Sequence, residues 1–259
     1  MKKFYITIIS LLLIFIFVGP LVYDIDPATP DLRNIEVAPS SEHVMGTDGL
    51  GRDILSRLMS GGQKSVIISL SSTMLKMLLA LTLAFIAAIN TKAEAVVMRI
   101  VDIFMCFPFY VIAVSIAAFI GSSMRNLIII IVLFTFAPAT RILVNEIKVL
   151  KDAEFIQVLR INGIKNSQIL FKHIIPNIRD TLLVLFTGSM AQAILMEASL
   201  SFLGFGIKEP QTSLGTILSV ALNILNVGDK WWMWLPAGVL VVLLVFSIQG
   251  LGEQYAKGE

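Results

Sequence analysis

Residues 127–144 read LIIIIVLFTFAPATRILV, eighteen residues with one charge, Arg141. A bilayer's hydrocarbon core is about 30 Å thick and takes roughly 20 apolar residues to cross as helix. The run therefore predicts a membrane span over 127–144. Five more runs of this kind lie at 4–23, 66–89, 100–120, 181–203 and 234–251. Of the 259 residues, 56% are hydrophobic and 15% charged, more apolar than a soluble domain. The expected fold is an all-α membrane protein with six transmembrane helices in one domain, 1–259.

The first run follows Lys2-Lys3, as a secretory leader would. Bulky Leu21, Val22 and Tyr23 after Gly19-Pro20 offer no small-residue cleavage site, so an uncleaved anchor is expected. Basic residues orient the spans. Lys2, Lys3, Lys92, Arg99 and the group Lys148, Lys151, Arg160, Lys165, Lys172 and Arg179 place both termini and segment 145–180 in the cytoplasm. The loops 24–62 and 204–232 then face outside, with Trp231, Trp232 and Trp234 at the interface before the last span.

Composition also excludes. A net charge of +2 is too small for a nucleic-acid binder. One cysteine, Cys106, and two distant histidines, His43 and His173, make neither an internal disulfide nor a metal site. No internal repeat is visible, against a transporter of two inverted halves.

The fourth span leads into residues 154–177, EFIQVLRINGIKNSQILFKHIIPN, a mixed stretch in an oily chain. Phe155, Val158, Leu159 and Asn162 recur at helical spacing. Gly163 fits a helix C′ position. Asn166 or Ser167 can cap a second helix over 168–173, and Pro176 resets the chain before the fifth span. The residues alone leave two readings open: an amphipathic linker on the membrane surface, or a helical knob offered to a cytoplasmic partner. A DNA-reading helix-turn-helix is disfavoured, because Leu159 is bulky where its helices would meet and spans tether both ends.

This segment resembles the EAA loop of ABC-importer permeases through Gly163 and Ile175-Pro176. Gln157-Val158-Leu159 stand where that loop has Glu-Ala-Ala. His43–Asp48, Gly51–Arg57, Met98–Asp102 with Phe107-Pro108, and Glu197–Gly206 resemble signatures of the dipeptide, oligopeptide and nickel permease group, C-type second permease. Ser213-Leu214-Gly215 and Leu235-Pro236-Ala237-Gly238 fit more loosely. The resemblance implies a bacterial cytoplasmic-membrane subunit that forms half of a path for peptides or a nickel-type chelate. Its implied partners are a second permease, two ATPases and an external substrate-binding protein, within membrane lipid and without nucleic acid.

ATP and Mg would sit on the ATPases, and this chain would bind no cofactor and catalyse nothing. Indeed it has no Gly-x4-Gly-Lys-Ser/Thr loop; Gly61-Gly62-Gln63-Lys64-Ser65 reads as a turn into the second span. Phe155, Gln157, Val158, Leu159, Gly163, Ile175 and Pro176 become the expected ATPase-coupling residues.

Charges within spans are functional suspects by default. Glu197 is expected to bond within the bundle rather than touch solute. Asp102 is expected to pair with Arg99 at i,i+3, and Lys76 to face the path or a partner. Pro108 and Pro138 are expected to kink their spans. Thr47, Asp48, Arg52 and Asp53 read either as a lid held by an Asp–Arg network or as a face for the binding protein. Two other classes remain: a membrane enzyme with Glu197 and Asp102 as paired carboxylates, and a self-sufficient channel.

Overall fold

The computed structural model describes residues 2–256. In chain order the helices are α1 (Lys2–Phe17), α2 (Gly19–Val22), α3 (Ile54–Ala87), α4 (Thr91–Met105), α5 (Phe109–Ile120) and α6 (Met124–Lys151). There follow α7 (Glu154–Ile161), α8 (Asn166–Ile169), α9 (Ile175–Asn177), α10 (Arg179–Phe202), α11 (Leu214–Leu218), α12 (Ile224–Asp229) and α13 (Leu235–Ala256). Among the described residues the one β feature is an isolated bridge between Thr47 and Asp53.

Four helices, α3, α6, α10 and α13, are each long and apolar enough to cross a membrane. The third expected span is broken into α4 and α5, which meet at 82°. Pro108 is the cause: it has no N–H to continue the ladder and drives Phe107 out of helical geometry. Pro138, by contrast, lies inside an unbroken α6. The first segment is two helices in series. Val18 N–H bonds to Ile14 O at 2.8 Å and Leu21 N–H to Val18 O at 2.9 Å, carrying the helical path across the junction.

The second span starts earlier than its apolar run. Asp53 caps α3 by accepting from Ser56 N–H at 2.9 Å, so the helix begins at Ile54 and takes in residues expected to belong to the outer loop. Gly61-Gly62, expected as a turn, are helical. A methyl on Gly61 would lie 3.1 Å from the Ser213 backbone, and one on Gly62 3.0 Å from Ile16. The glycines are there to let α11 and α1 close on α3.

Three apolar clusters hold the bundle. One joins the C-terminal half of α3 to α4, α6 and the segment 156–178 through Ala84, Val101, Leu143, Ile147, Ile156 and Ile174. A second joins α1, α3, α10, α11 and α13 through Ile16, Val66, Ile194, Leu214 and Leu244. A third packs α5 and α6 on α3 and α10 through Ile68, Ala113, Leu127 and Leu200.

Candidate functional site

The projecting element is built on one buried anchor. Ile156 of α7 is fully enclosed in the first cluster, beside Ile147 of α6 and Ile169 and Ile174 further along. Its burial fixes the rotation of α7 and turns Phe155, Val158 and Ile161 outward, spaced at i, i+3 and i+6. They are 46%, 55% and 85% exposed. An apolar row left open on a short helix at a bundle end is a surface for a partner's groove.

The expected contact set divides. Phe155 and Val158 lie on this row. Gln157 is exposed and folds its amide back to Asp152 O at 3.3 Å. Leu159, expected on the contact side, instead packs against the core cluster, because the buried anchor at Ile156 carries position i+3 inward. Ile161, which the sequence reading passed over, is the most exposed of the row. Ile175 is partly buried and Pro176 exposed.

The helix ends in a Schellman motif. Gly163 adopts φ +76°, its N–H bonds to Arg160 O at 2.9 Å, and Ile164 N–H bonds to Leu159 O at 3.1 Å. The return stretch was expected as one helix reset by Pro176. It is α8, a π-helical turn over Leu170–Ile174, then α9. Ile175 N–H reaches back to Leu170 O, and Pro176 follows in the first turn of α9, where its missing N–H costs little.

On the other side of the bundle the long loop is an ordered ionic structure. Asp48 accepts from Leu50 N–H at 2.9 Å and Arg52 N–H at 3.0 Å, from Arg52 Nε at 2.8 Å, and lies 3.3 Å from Arg57 Nε. Arg52 and Arg57 both reach Glu209, in the loop after α10. Burial works against the Arg52 charge. The Glu209 hydrogen bond and the field of Asp48 outweigh it and hold the guanidinium above its ordinary pKa. Asp53 accepts from Tyr23 OH at 2.9 Å and lies 3.0 Å from His43 Nδ1. Thr47 Oγ1 accepts from Val37 N–H at 2.8 Å and donates to Asn34 O.

Thr47, Asp48, Arg52 and Asp53 are all buried. They build the loop and do not form its outer face, because their polar atoms are already engaged inside. Glu209 is the member of the network that the sequence reading missed; no local pattern links it to arginines more than 150 positions away.

The intramembrane polar residues separate too. Glu197 of α10 is 0% exposed, accepting from Ser65 Oγ at 2.6 Å and Ser201 Oγ at 2.7 Å. Leu214 N–H in turn donates to Ser65 Oγ at 3.1 Å, so one hydroxyl ties α3, α10 and α11 together. Asp102 pairs with Arg141 of α6 and not with Arg99, since α4 packs on α6 and brings the guanidinium across. Glu197 and Asp102 therefore serve different contacts and make no carboxylate pair. Lys76 of α3 is 5% exposed, with its Nζ 3.5 Å from Gln192 Oε1 of α10.

A bundle of membrane-crossing helices with a long ordered loop at one end and one projecting helical element at the other defines a multi-pass membrane protein. Comparison with known proteins makes this specific. Residues 80–257 match the family described as binding-protein-dependent transport system inner membrane component. The chain is 34% identical, over 96% of its length and 83% of the relative's, to a protein of Brucella suis biovar 1 (strain 1330) named as a peptide permease. It is 30% identical, over 86% of its length and 74% of the relative's, to the glutathione transport system permease protein GsiD of Pectobacterium atrosepticum. In fold it is similar to a chain of the MetNI methionine ABC transporter in an inward-facing conformation, with a TM-score of 0.65 at 20% identity. That match covers 78% of this chain and 95% of the other.

The chain belongs to the family of inner membrane components of binding-protein-dependent transport systems, the permease subunits of ABC importers. ATP hydrolysis in this family is done by separate ATPase subunits, and the partners of such a permease are an ATPase, a second permease and a substrate-binding protein.

Proposed function

We propose that this permease imports peptides or small peptide-like solutes, and that α7 is the contact through which the ATPase drives it. The names of the relatives, a peptide permease and a glutathione permease, support the substrate class; they favour peptides over the nickel-type chelate. The observation that carries the coupling reading is the open row Phe155, Val158 and Ile161 on a helix anchored by buried Ile156.

The mechanism follows from that arrangement. Two ATPases closing on ATP carry the two docked helices of the permease pair with them. Ile156, Ile169 and Ile174 seat the element on α3, α4 and α6, so the displacement passes into the bundle as a rigid-body motion and alternates access to the path. Lys2, Lys3, Lys92 and the cluster from Lys148 to Arg179 support a cytoplasmic position for both termini and for this element. The second permease is a different chain in this reading, as the resemblance to second permeases of paired systems implies.

The test is Ile161→Asp with Val158→Asp in the assembled transporter. A charge on each position should abolish peptide uptake while the ATPases keep hydrolysing without response to the loaded binding protein. Uptake at the wild-type rate with both charges present contradicts the coupling role.

A further inference from the structure

We infer that a cavity at the α7 end of the bundle, walled by α3, α6 and the segment 160–174, holds the phosphate of an anionic phospholipid whose acyl chain lies along the open face of α3. The inference stands apart from the identity of the solute and from the ATPase contact.

The cavity has a volume of about 550 Å³. Lys151 at the end of α6, Arg160 of α7 and Asn166 of α8 supply its polar groups, and Phe85, Ile89 and Leu170 belong to its apolar wall. Two like charges thus converge from different helices. Among the described residues neither stands in an ion pair, and no carboxylate lines the cavity. Glu94 and Asp152 line a separate depression that shares only Ala88 and Lys151 with it, and Glu94 is paired there with Lys148 at 2.6 Å. The Lys151 ammonium gives a hydrogen bond to Ala88 O and keeps two donors, while Arg160 brings a planar fork of donors. Two cations and an amide without an acid are complementary to a phosphate.

The apolar wall shows what carries that phosphate. Met74, Leu78, Phe85 and Ile89 follow one another at steps of four, seven and four, which keeps them on one side of the helix. Ile89 extends the helical turn beyond α3, its N–H bonding to Ile86 O at 3.1 Å. Met74, Leu78 and Ile89 are 58%, 64% and 71% exposed. From Phe85 to Met74 the face runs about 16 Å, half of the hydrocarbon core of roughly 30 Å. The cations therefore sit where the headgroups of one leaflet meet their chains, and basic pockets between spans at that level hold anionic headgroups.

Other occupants use only part of this arrangement. A free anion, or a carboxylate of the docked ATPase, meets the cations and leaves the α3 face uncovered. An apolar span of the second permease covers the face and leaves the cations without a counter-charge. One phospholipid satisfies both, with its phosphate on Lys151 and Arg160 and a chain along Phe85, Leu78 and Met74.

The experiment uses the complete purified transporter, stripped of lipid in detergent, with native mass spectrometry as the readout. The probes are phosphatidylglycerol and phosphatidylcholine with identical chains, and inorganic phosphate. Wild type should hold one phosphatidylglycerol that the double variant Lys151→Gln, Arg160→Gln binds about tenfold or more weakly. Lys165→Gln with Lys172→Gln removes the same charge from exposed positions outside the cavity and should leave that lipid bound. Lys151→Arg with Arg160→Lys keeps both charges and should also retain it, which separates lost recognition from lost folding. Phosphatidylcholine held as tightly as phosphatidylglycerol overturns the inference. So does equal loss from the two neutralised pairs, no loss from either, or loss from the charge-keeping pair. Displacement of the lipid by millimolar inorganic phosphate assigns the cavity to a free anion. Binding to the permease pair that disappears when the ATPases dock assigns it to the ATPase, and either result overturns the lipid site.

Discussion

The Ser65 hydroxyl on α3 donates to the Glu197 carboxylate on α10 at 2.6 Å, in a position closed off from the surface. Because Ser65 also accepts from Leu214 N–H, two spans and the helix between the last two are joined at one atom. Glu197 is a rivet of the bundle.

Glu197→Ala should therefore destabilise the isolated subunit. It strands the Ser65 and Ser201 hydroxyls, at about 1–3 kcal/mol for each buried group left unpaired. Glu197→Gln keeps one acceptor oxygen and should cost distinctly less. Thermal unfolding in detergent separates the two, and equal midpoints for both variants would contradict the rivet.

Arg57 and Glu209 should respond unequally although they touch. Arg57 is buried against Asp48, so Arg57→Met removes one of that carboxylate's two arginines while Arg52 still holds it, a loss of about 1.5–3 kcal/mol. The Glu209 side chain is more than half exposed, so Glu209→Gln should change stability by less than about 1 kcal/mol. Limited proteolysis of the loop over 24–53 in the purified subunit should show faster cleavage for the first variant and wild-type protection for the second.

Gly163 is required for its backbone and not for space. A side chain there would meet nothing within 4 Å, but φ is +76°. Gly163→Ala should cost about 1–2 kcal/mol of local strain and lower uptake per ATP hydrolysed. Gly163→Asn, which tolerates this conformation better, should restore most of it. Identical coupling ratios for wild type and Gly163→Ala would show that the Schellman turn has no part in coupling.

The fold was legible where it depends on local composition. Apolar runs marked the four long spans and the bent α4–α5 pair, while the first run became a 16-residue helix too short to count with them; Pro108 marked the break between α4 and α5, and Gly163 the end of α7. What escaped the sequence reading depends on side chains brought together from a distance. Arg99 at i,i+3 was the nearer candidate for Asp102, yet helix packing delivered Arg141, 39 positions away. Gly61-Gly62 read as a turn because a glycine pair breaks an isolated helix; here it is held helical by α1 and α11 closing on it.

At the site, the rotation of α7 turned on Ile156. Periodicity placed Phe155, Val158 and Leu159 together on one side, since Phe155 neighbours Val158 at i,i+3 and Leu159 at i,i+4. Burial of Ile156 then drew Leu159 inward and left Ile161 outside. Of the four loop residues, Asp48 and Arg52 stand in an Asp–Arg network, whereas Asp53 meets Tyr23 and His43 and Thr47 bonds backbone; the reach of Arg52 to Glu209 and the burial of all four could not be seen from residue type.

The most direct test of the central claim, that α7 docks the ATPase, is photo-crosslinking from a benzophenone amino acid placed at Ile161 in the assembled transporter. The account predicts an adduct with the ATPase subunit from Ile161 and from Val158, and none from buried Ile156. Adducts with lipid alone from both exposed positions, in a complex that still hydrolyses ATP and transports, would contradict it.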